Sequence, residues 1–226
     1  MSAAAGPPTS PRNTGSELRP DDGRLERGRR SRARIRRAAR ELFREKGFDG
    51  ATLRAIAERA GMGASSIYRH VESKEELLIA ELAELQEEAW RRFRLADERD
   101  ASTRARVERF LGVQHALLVA DRDLTRIALR ATTRPEARVA RQVLALHDRT
   151  IGLLVEILQM GRMRADLDRQ ADVLTAARAL FHITLGARIP WAVGLVSDDA
   201  CLDSIREGVG LLFRGLERVG PAGPPR

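Results

Sequence analysis

Residues 38–78 read AARELFREKGFDGATLRAIAERAGMGASSIYRHVESKEELL, and this stretch decides the fold of the N-terminal third of the chain. Its apolar residues recur three and four positions apart, as they do on one face of an α-helix, and glycines interrupt the pattern at Gly47, Gly61 and Gly63. The spacing predicts a first helix that ends at Gly47, followed by two short helices. Two short helices separated by a tight, glycine-containing turn are the sequence pattern of a helix-turn-helix.

The beginnings of these helices are also readable. Thr52 is a good N-cap for the second helix, which is expected to end at Gly61. The third helix is predicted to begin at Ala64. Ser73 and Glu76 match a capping box, in which Ser73 accepts from a backbone N–H near Glu76 while the Glu76 carboxylate reaches back. The box predicts the start of a long fourth helix.

The rest of the chain continues the helical pattern. There is no proline between Asp21 and Arg134, and no alternation typical of strands is evident. We predict an all-α fold. The further helices are expected at about 103–120, 124–133, 135–160 (with Pro135 at its start), 171–189 and 200–219.

The positive charge is concentrated in one segment. The 226 residues carry a formal net charge of +8, and the segment from Arg24 to Lys46 alone holds 11 basic and 3 acidic residues. The remaining residues are therefore nearly balanced. This asymmetry favours a polyanion-binding end joined to a neutral helical body. The alternative is that these arginines form only a solvated helix face.

Several classes of protein are disfavoured by what the sequence lacks. Cys201 is the only cysteine, which rules out an intrachain disulfide or a cysteine-based zinc site, and His70 has no metal-ligand partner at suitable spacing. The longest apolar stretch contains Arg188 and Pro190, so we expect no membrane partner, and without a signal-peptide pattern we expect a cytoplasmic protein. We find no glycine-rich phosphate loop, HExxH motif or acidic metal cluster, so we expect no enzyme and no cofactor.

The quoted stretch resembles the DNA-binding domain of the tetracycline-repressor (TetR) family of bacterial transcription regulators. The resemblance is carried by A-x-x-L-F-x-x-x-G-F in the first helix, T-x-x-x-I-A-x-x-A-G in the second, and I-Y-x-H-V-x-x-K running into the fourth. It implies a three-helix DNA-binding domain at 24–72 and a helical effector-binding and dimerisation domain at 73–219. Residues 1–23, which are rich in Pro, Ala, Gly and Ser, are predicted to be a disordered tail, and 220–226 a flexible one.

The resemblance also implies which residues contact double-stranded DNA. Phosphate contacts are implied for Thr52, Tyr68, His70 and Lys74. Arg54 and Arg69 are the best candidates for bidentate contacts to guanine. The exposed face of the third helix is expected to comprise Ala64, Ser65, Ser66, Tyr68, Arg69 and His70. A competing interpretation is that Tyr68 packs between helices.

The resemblance further implies a homodimer formed by the last two helices, which places the operator as an inverted repeat. Gly186, Ala187, Gly208 and Gly215 could permit close approach of the two subunits. A small apolar or amphipathic effector is expected to bind among the helices between Thr103 and Ile189. The candidate lining residues are Phe110, His147, Met160 and Phe181, each of which could instead belong to the core. The alternatives to a ligand-released repressor are a constitutive DNA-binding protein without an effector and a helix-turn-helix enzyme that processes DNA.

Overall fold

The computed structural model describes residues 20–98 and 100–216, with side chains from Leu25 onward. Within these ranges the chain forms helices and no strands, which confirms the all-α prediction. The helices are α1 (Pro20–Gly50), α2 (Leu53–Arg59), α3 (Ala64–Ile67), α4 (Lys74–Leu95), α5 (Thr103–Ala120), α6 (Arg122–Thr133), α7 (Ala140–Met163), α8 (Val173–Ala192) and α9 (Asp198–Leu216). No described helix is long and apolar enough to span a membrane.

The first helix breaks where the glycine pattern predicts. Gly47 has φ 71° and ψ 169°, a conformation open to glycine that interrupts the regular helix before its last residues. The predicted tail at 1–23 is wrong for Pro20–Gly23, which form the first turn of α1. Proline is favoured at the first helical position because its missing N–H is not needed there. Residues 1–19 and the predicted tail at 220–226 lie outside the described residues.

The caps predicted from the sequence are present. The Thr52 hydroxyl oxygen accepts from the Ala55 N–H at 3.1 Å, and Ser73 Oγ accepts from the Glu76 N–H at 3.2 Å. The reciprocal bond differs from that of a standard capping box, because the Glu76 carboxylate accepts at 2.7 Å from the N–H of Glu72, the residue before the N-cap Ser73. These bonds satisfy backbone donors that a helix N-terminus otherwise leaves unpaired.

Several predicted boundaries in the C-terminal part differ from the structure, and two of the differences involve prolines. Pro135 does not begin α7, because the Val139 N–H turns back to the Glu136 carbonyl at 3.0 Å and the helix starts only at Ala140. In α8 the helix continues past Ile189 through Pro190 to Ala192. Pro190 has no N–H, so the Gly186 carbonyl loses its usual helical partner, and the helix ends two residues later. The last turn is also anchored by Trp191, which is fully buried and donates to Asp198 Oδ1 at 2.7 Å.

The helices form two connected parts. α1, α2 and α3 pack together around buried apolar side chains such as Ile35, Ile56 and Ile67. α4 packs against α5, α6 and α7, and α8 packs against α7 and α9. Because α1 also contacts α4 and α6, the N-terminal helices rest directly on the larger helical body.

Candidate nucleic-acid interface and buried cavity

The helix-turn-helix presents most of the predicted contact residues to solvent. Ala64, Ser65 and Arg69 are exposed, Tyr68 is 62% exposed, and Ser66 is half-buried. The third helix is shorter than predicted, because it ends at Ile67 and the next residues continue as turns with i to i+3 bonds such as His70 N–H to the Ile67 carbonyl at 2.8 Å. Tyr68, Arg69 and His70 therefore follow α3 rather than lie on its face.

The two arginines proposed to read guanine are held only weakly. Arg54 Nε lies 3.3 Å from Glu58 Oε1, with both side chains largely exposed. Arg69 donates to Ser66 Oγ at 3.1 Å. Exposed pairs of this kind contribute at most about 1 kcal/mol, so either guanidinium can exchange its partner for a base or a phosphate.

Lys74 has a structural partner that the sequence pattern did not reveal. Its ammonium donates to the Phe48 carbonyl at 2.7 Å and lies 4.5 Å from the centre of the Phe48 ring. This contact joins the start of α4 to the turn that follows the regular part of α1. An ammonium has three N–H donors, so the bond to Phe48 leaves donors for a phosphate.

The basic segment divides into an inner and an outer set. On the inner side, Arg36 pairs with Glu84 and Arg44 with Asp121. Arg40 Nη2 lies 2.5 Å from Glu81 Oε1, and this hydrogen bond raises the pKa of Arg40 above its ordinary value. The outer residues Arg29, Arg32 and Arg34 are exposed and have no ion-pair partner among the described residues. Three of the 11 basic residues of this segment thus attach α1 to α4 and to the start of α6.

A cavity of about 50 Å³ lies between α4, α5, α6, α7 and α8. Of the four side chains predicted to line a pocket, the structure brings His147 and Phe181 together there, with ring centres 4.9 Å apart. Burial lowers the pKa of His147, which keeps the imidazole neutral at pH 7. The remaining lining residues are Leu82, Leu85, Gln86, Gln114, Leu118, Leu129, Thr132, Leu146, Thr150, Thr184, Leu185 and Arg188.

The other two predicted lining residues lie elsewhere. Phe110 is fully buried in an aromatic cluster, with its ring centre 5.7 Å from that of Phe93. Met160 is 40% exposed, and its sulfur lies 3.8 Å from Arg106 Nη2. Both sit on helices that border the cavity, but their side chains leave those helices in other directions.

Polar groups at the cavity wall were missed by sequence reasoning. Arg188 is 7% exposed, donates through Nη2 to Gln114 Oε1 at 2.9 Å, and leaves its Nε without a hydrogen-bond partner. Gln86 accepts from Thr150 Oγ1 at 2.7 Å, while its Nε2 has no partner. The sequence did contain a signal for such groups, because an arginine within the apolar stretch of α8 needs hydrogen-bond partners inside the fold.

Arg188 is charged under ordinary conditions. Burial lowers its pKa to about 10, which still leaves the guanidinium protonated at pH 7. None of the acidic side chains in the described residues forms an ion pair with it, and no Asp or Glu lines the cavity. The cavity wall therefore holds a buried positive charge next to mainly apolar side chains.

A family model matches part of the chain, and a curated regulator is similar to a longer part of it. Residues 35–80 match the model of the bacterial regulatory proteins of the tetR family. The HTH-type transcriptional regulator UidR of Escherichia coli K12 is 26% identical over 156 residues, which are 69% of this chain and 79% of UidR.

Solved structures share the fold. FadR of Thermus thermophilus, a TetR-family transcriptional repressor solved with lauroyl-CoA, superposes with a TM-score of 0.69 at 24% identity, covering 86% of this chain and 100% of FadR. A TetR regulator from Rhodococcus sp. RHA1 gives a TM-score of 0.68 at 21% identity over 83% of this chain and 97% of its own. Bacillus subtilis FadR, solved with stearoyl-CoA, gives 0.63 at 19% identity over 81% of this chain and 98% of its own.

The helix-turn-helix segment at 35–80 therefore matches the tetR family of bacterial regulatory proteins, and the chain as a whole is similar in sequence to a curated transcriptional regulator and in fold to TetR-family regulators.

Proposed function

We propose that this protein is a repressor that binds an inverted-repeat operator as a homodimer and is released by a small amphipathic effector held in the buried cavity. The observation that carries the proposal is the position of α4. Its first residue, Lys74, adjoins the helix-turn-helix, and its middle supplies Leu82, Leu85 and Gln86 to the cavity wall. One rigid helix thus connects the DNA-reading end to the site where an effector would bind.

The exposed end of the helix-turn-helix supports the proposed DNA contacts. We assign phosphate contacts to Thr52, Tyr68, His70 and Lys74, as the resemblance implies, and we assign base contacts to Arg54 and Arg69 because an arginine can bind guanine in a bidentate manner. Ala64, Ser65 and Ser66 are small and would meet bases through apolar contacts or water. His70 shares a surface groove with Arg32, which is exposed and has no ion-pair partner among the described residues, and with Glu76 and the ion-paired Arg36.

The outer faces of α8 and α9 support the proposed homodimer. Leu174, Ile189 and Leu211 are large apolar side chains that are 46%, 43% and 63% exposed. A Cβ at Gly186 or Gly215 would meet nothing within 4 Å, which leaves room for a partner helix. Gly208 serves a different purpose, because a Cβ there would lie 2.4 Å from Ile183 Cγ2 of the same chain. A two-fold dimer would place the two copies of α3 roughly 34–36 Å apart, which is the length of one turn of DNA.

Ion pairs between the two parts offer a route for coupling. Arg40 to Glu81 and Arg36 to Glu84 join α1 to α4, and Arg44 to Asp121 joins α1 to the start of α6. If an effector displaces α4, these ion pairs would move α1 together with it. The distance between the two helix-turn-helix units of the dimer would then change. A ligand can shift the protein toward the displaced conformation only if it binds that conformation more tightly than the DNA-binding one.

The test begins with selection of bound DNA from random duplexes by the purified full-length protein. An inverted repeat is expected, and recovery of a single unrepeated site or of no preferred sequence would contradict the proposal. A metabolite library is then screened by thermal shift on the protein and by release of the selected duplex. A true effector raises the melting temperature by mass action and also releases DNA. If no compound does both, the result speaks against release by a ligand and favours the alternative of a constitutive DNA-binding protein.

A further inference from the structure

We propose that the effector is an amphipathic monocarboxylate, whose carboxylate pairs with Arg188 and whose hydrocarbon part lies against the apolar wall of the cavity. This assignment rests on the proposed function, because it presumes that the cavity is the effector site.

The first argument is the cost of the unpaired charge. Arg188 lies on α8 with 7% of its surface exposed, and its single hydrogen bond goes to a neutral amide oxygen, Gln114 Oε1. A buried guanidinium without an anionic partner is expensive to keep, and cores rarely retain one unless a partner compensates it. No carboxylate of the described residues fills that role, so we infer that the partner is the ligand.

The second argument is the hydrogen-bond polarity of the site. Two buried side-chain nitrogens at the cavity wall lack a partner, Arg188 Nε and Gln86 Nε2, and both are donors. A ligand that satisfies them must supply acceptors. An ionised carboxylate has two oxygens and no donor, so it suits both groups, whereas an amine would add donors and repel the guanidinium.

The third argument concerns the rest of the wall. Away from these donors the lining is mainly aliphatic and aromatic, and includes Leu82, Leu118, Leu129, Leu146 and Phe181. His147 is the other titratable group of the lining, and burial lowers its pKa, so it adds no positive charge at pH 7. The site therefore offers one fixed positive end and an apolar remainder, which matches an alkanoate or a comparable amphiphile.

Cavity size links binding to movement. A volume of about 50 Å³ holds only a few water molecules. A ligand with more than a short alkyl chain must push α4 side chains such as Leu82 and Leu85 outward. We therefore expect longer carboxylates to release DNA more effectively than short ones.

The experiment uses the full-length protein with its selected duplex. Hexanoate, octanoate and decanoate are compared with 1-decanol, which lacks the charge, and with decanoyl-CoA, which lacks the free carboxylate. Decanoate is expected to raise the melting temperature and release DNA, and 1-decanol to bind at least about 10-fold more weakly, in line with a hydrogen bond to a charged group. Equal binding of 1-decanol, or binding of decanoyl-CoA alone, would overturn the carboxylate assignment without touching the DNA-binding proposal.

Variants locate the contact. Arg188→Met should weaken decanoate about 10- to 100-fold while the affinity for operator DNA in the absence of ligand stays within threefold of wild type. Arg178→Met, at an exposed position on the same helix, is the matched control and should leave decanoate binding unchanged. Arg188→Lys keeps the charge and should retain part of the binding. Wild-type decanoate affinity in Arg188→Met would refute the proposal.

Folding of the variant is not an obstacle to the test. Because the substitution removes an unpaired buried charge and keeps a similar volume, the melting temperature of ligand-free Arg188→Met should equal or exceed that of wild type. If none of the alkanoates binds the wild-type chain, the carboxylate assignment fails on that result alone. The repressor proposal then still stands or falls with the DNA selection and the metabolite screen.

Discussion

Tyr68 shows how one side chain separates two interpretations of the sequence. A tyrosine at this position can pack between helices or face DNA, and 62% exposure contradicts packing between helices. Arg69 is exposed beside it and is held only by Ser66. The two residues are thus neighbours with different expected tasks, one positioning the protein on phosphate and the other reading a base.

Substitution of these neighbours should separate the two tasks. Tyr68→Ala is expected to weaken binding to every duplex by a similar factor. Arg69→Ala should also relax the preference at one base pair, at a cost of about 1–3 kcal/mol for the preferred base. Competition binding against a panel of operator variants measures both effects. An unchanged preference profile in Arg69→Ala would remove its assigned reading role.

His115 is a buried histidine that does not line the cavity between α4, α5, α6, α7 and α8. It is 4% exposed, its Nε2 lies 3.0 Å from the Asp198 carbonyl oxygen, and its Nδ1 has no partner. Because a carbonyl only accepts, Nε2 carries the proton and Nδ1 is the site of any further protonation. Burial, followed by the charge of Arg188, lowers the pKa of His115, while Asp198 and Asp199 oppose the shift.

This lowered pKa predicts a loss of stability in mild acid. The unfolded chain takes up a proton near the ordinary histidine pKa of 6.5, whereas folded His115 resists it, so the free energy of unfolding should fall as the pH drops below about 6.5. His147 acts in the same direction. Each histidine contributes at most about 1.4 kcal/mol per pH unit. Urea unfolding between pH 7.5 and 5 measures the decline, which should be shallower in His115→Gln. Parallel curves for the two proteins would contradict it.

The crossing of α5 and α7 depends on one glycine. A Cβ at Gly161 would lie 2.0 Å from Thr103 Oγ1 and 2.8 Å from Thr103 Cβ. Thr103 cannot easily turn away, because it is 1% exposed and its hydroxyl donates to Asp166 Oδ2 at 2.9 Å. The close approach of these two helices therefore requires the absence of a side chain.

Gly161→Ala should lower the free energy of unfolding by about 1–3 kcal/mol, as expected for overpacking. Gly152→Ala on the same helix is the matched control, since a Cβ there meets nothing within 4 Å. That change should raise stability by about 0.5–1 kcal/mol, because alanine favours the helix more than glycine does. Denaturant unfolding of both variants checks the pair. Equal effects would show that the helix crossing tolerates a methyl group.

Across the whole molecule, the basic segment works in two ways. Arg36, Arg40 and Arg44 are bound to acidic residues of α4 and α6, so they contribute to cohesion between the two parts. The exposed arginines before them are available for phosphates. Because each phosphate that the protein neutralises changes the salt dependence of binding by a fixed amount, the two sets can be told apart in solution.

The triple variant Arg29→Ala, Arg32→Ala, Arg34→Ala should reduce the slope of log affinity against log salt by about 0.9 for each phosphate that the variant no longer neutralises. Operator preference should persist, since phosphate contacts carry no base information. Arg40→Ala is the control and should leave the slope unchanged, because its guanidinium already binds Glu81. Fluorescence polarisation across a KCl series gives the slopes. An undiminished slope in the triple variant would assign these arginines to a solvated face.

Assembly is the other property of the whole molecule. If α8 and α9 form the dimer interface, Leu211→Arg should halve the mass seen in analytical ultracentrifugation and abolish operator binding at the same protein concentration. Leu144→Arg is a matched control, because Leu144 on α7 is 61% exposed, close to the 63% of Leu211. A charge in a buried apolar interface is costly, whereas at a solvated site it is not. Equal masses for the two variants would contradict a dimer interface at α8 and α9.

Local chemistry determined much of this protein from the sequence alone. The helices, the break at Gly47 and the caps at Thr52 and Ser73 depend on neighbours a few residues away, and so does the exposed end of the helix-turn-helix. Such features are readable because turns, caps and helical periodicity involve residues close in the chain. The boundary errors at Pro135 and Pro190 arose where a local signal competed with packing of distant helices.

Only the tertiary structure decided which side chains meet. Phe110 lies in an aromatic cluster, and Met160 lies near Arg106. Arg188 donates to Gln114, which is 74 positions away in the sequence. Arg40 pairs with Glu81 of α4. Periodicity shows that a helix face is buried but does not show what it is buried against. An unpaired charge such as that of Arg188 can be recognised only when every surrounding helix is in place. The groups around it come from helices that are far apart in the sequence, so their separation along the chain does not reveal them.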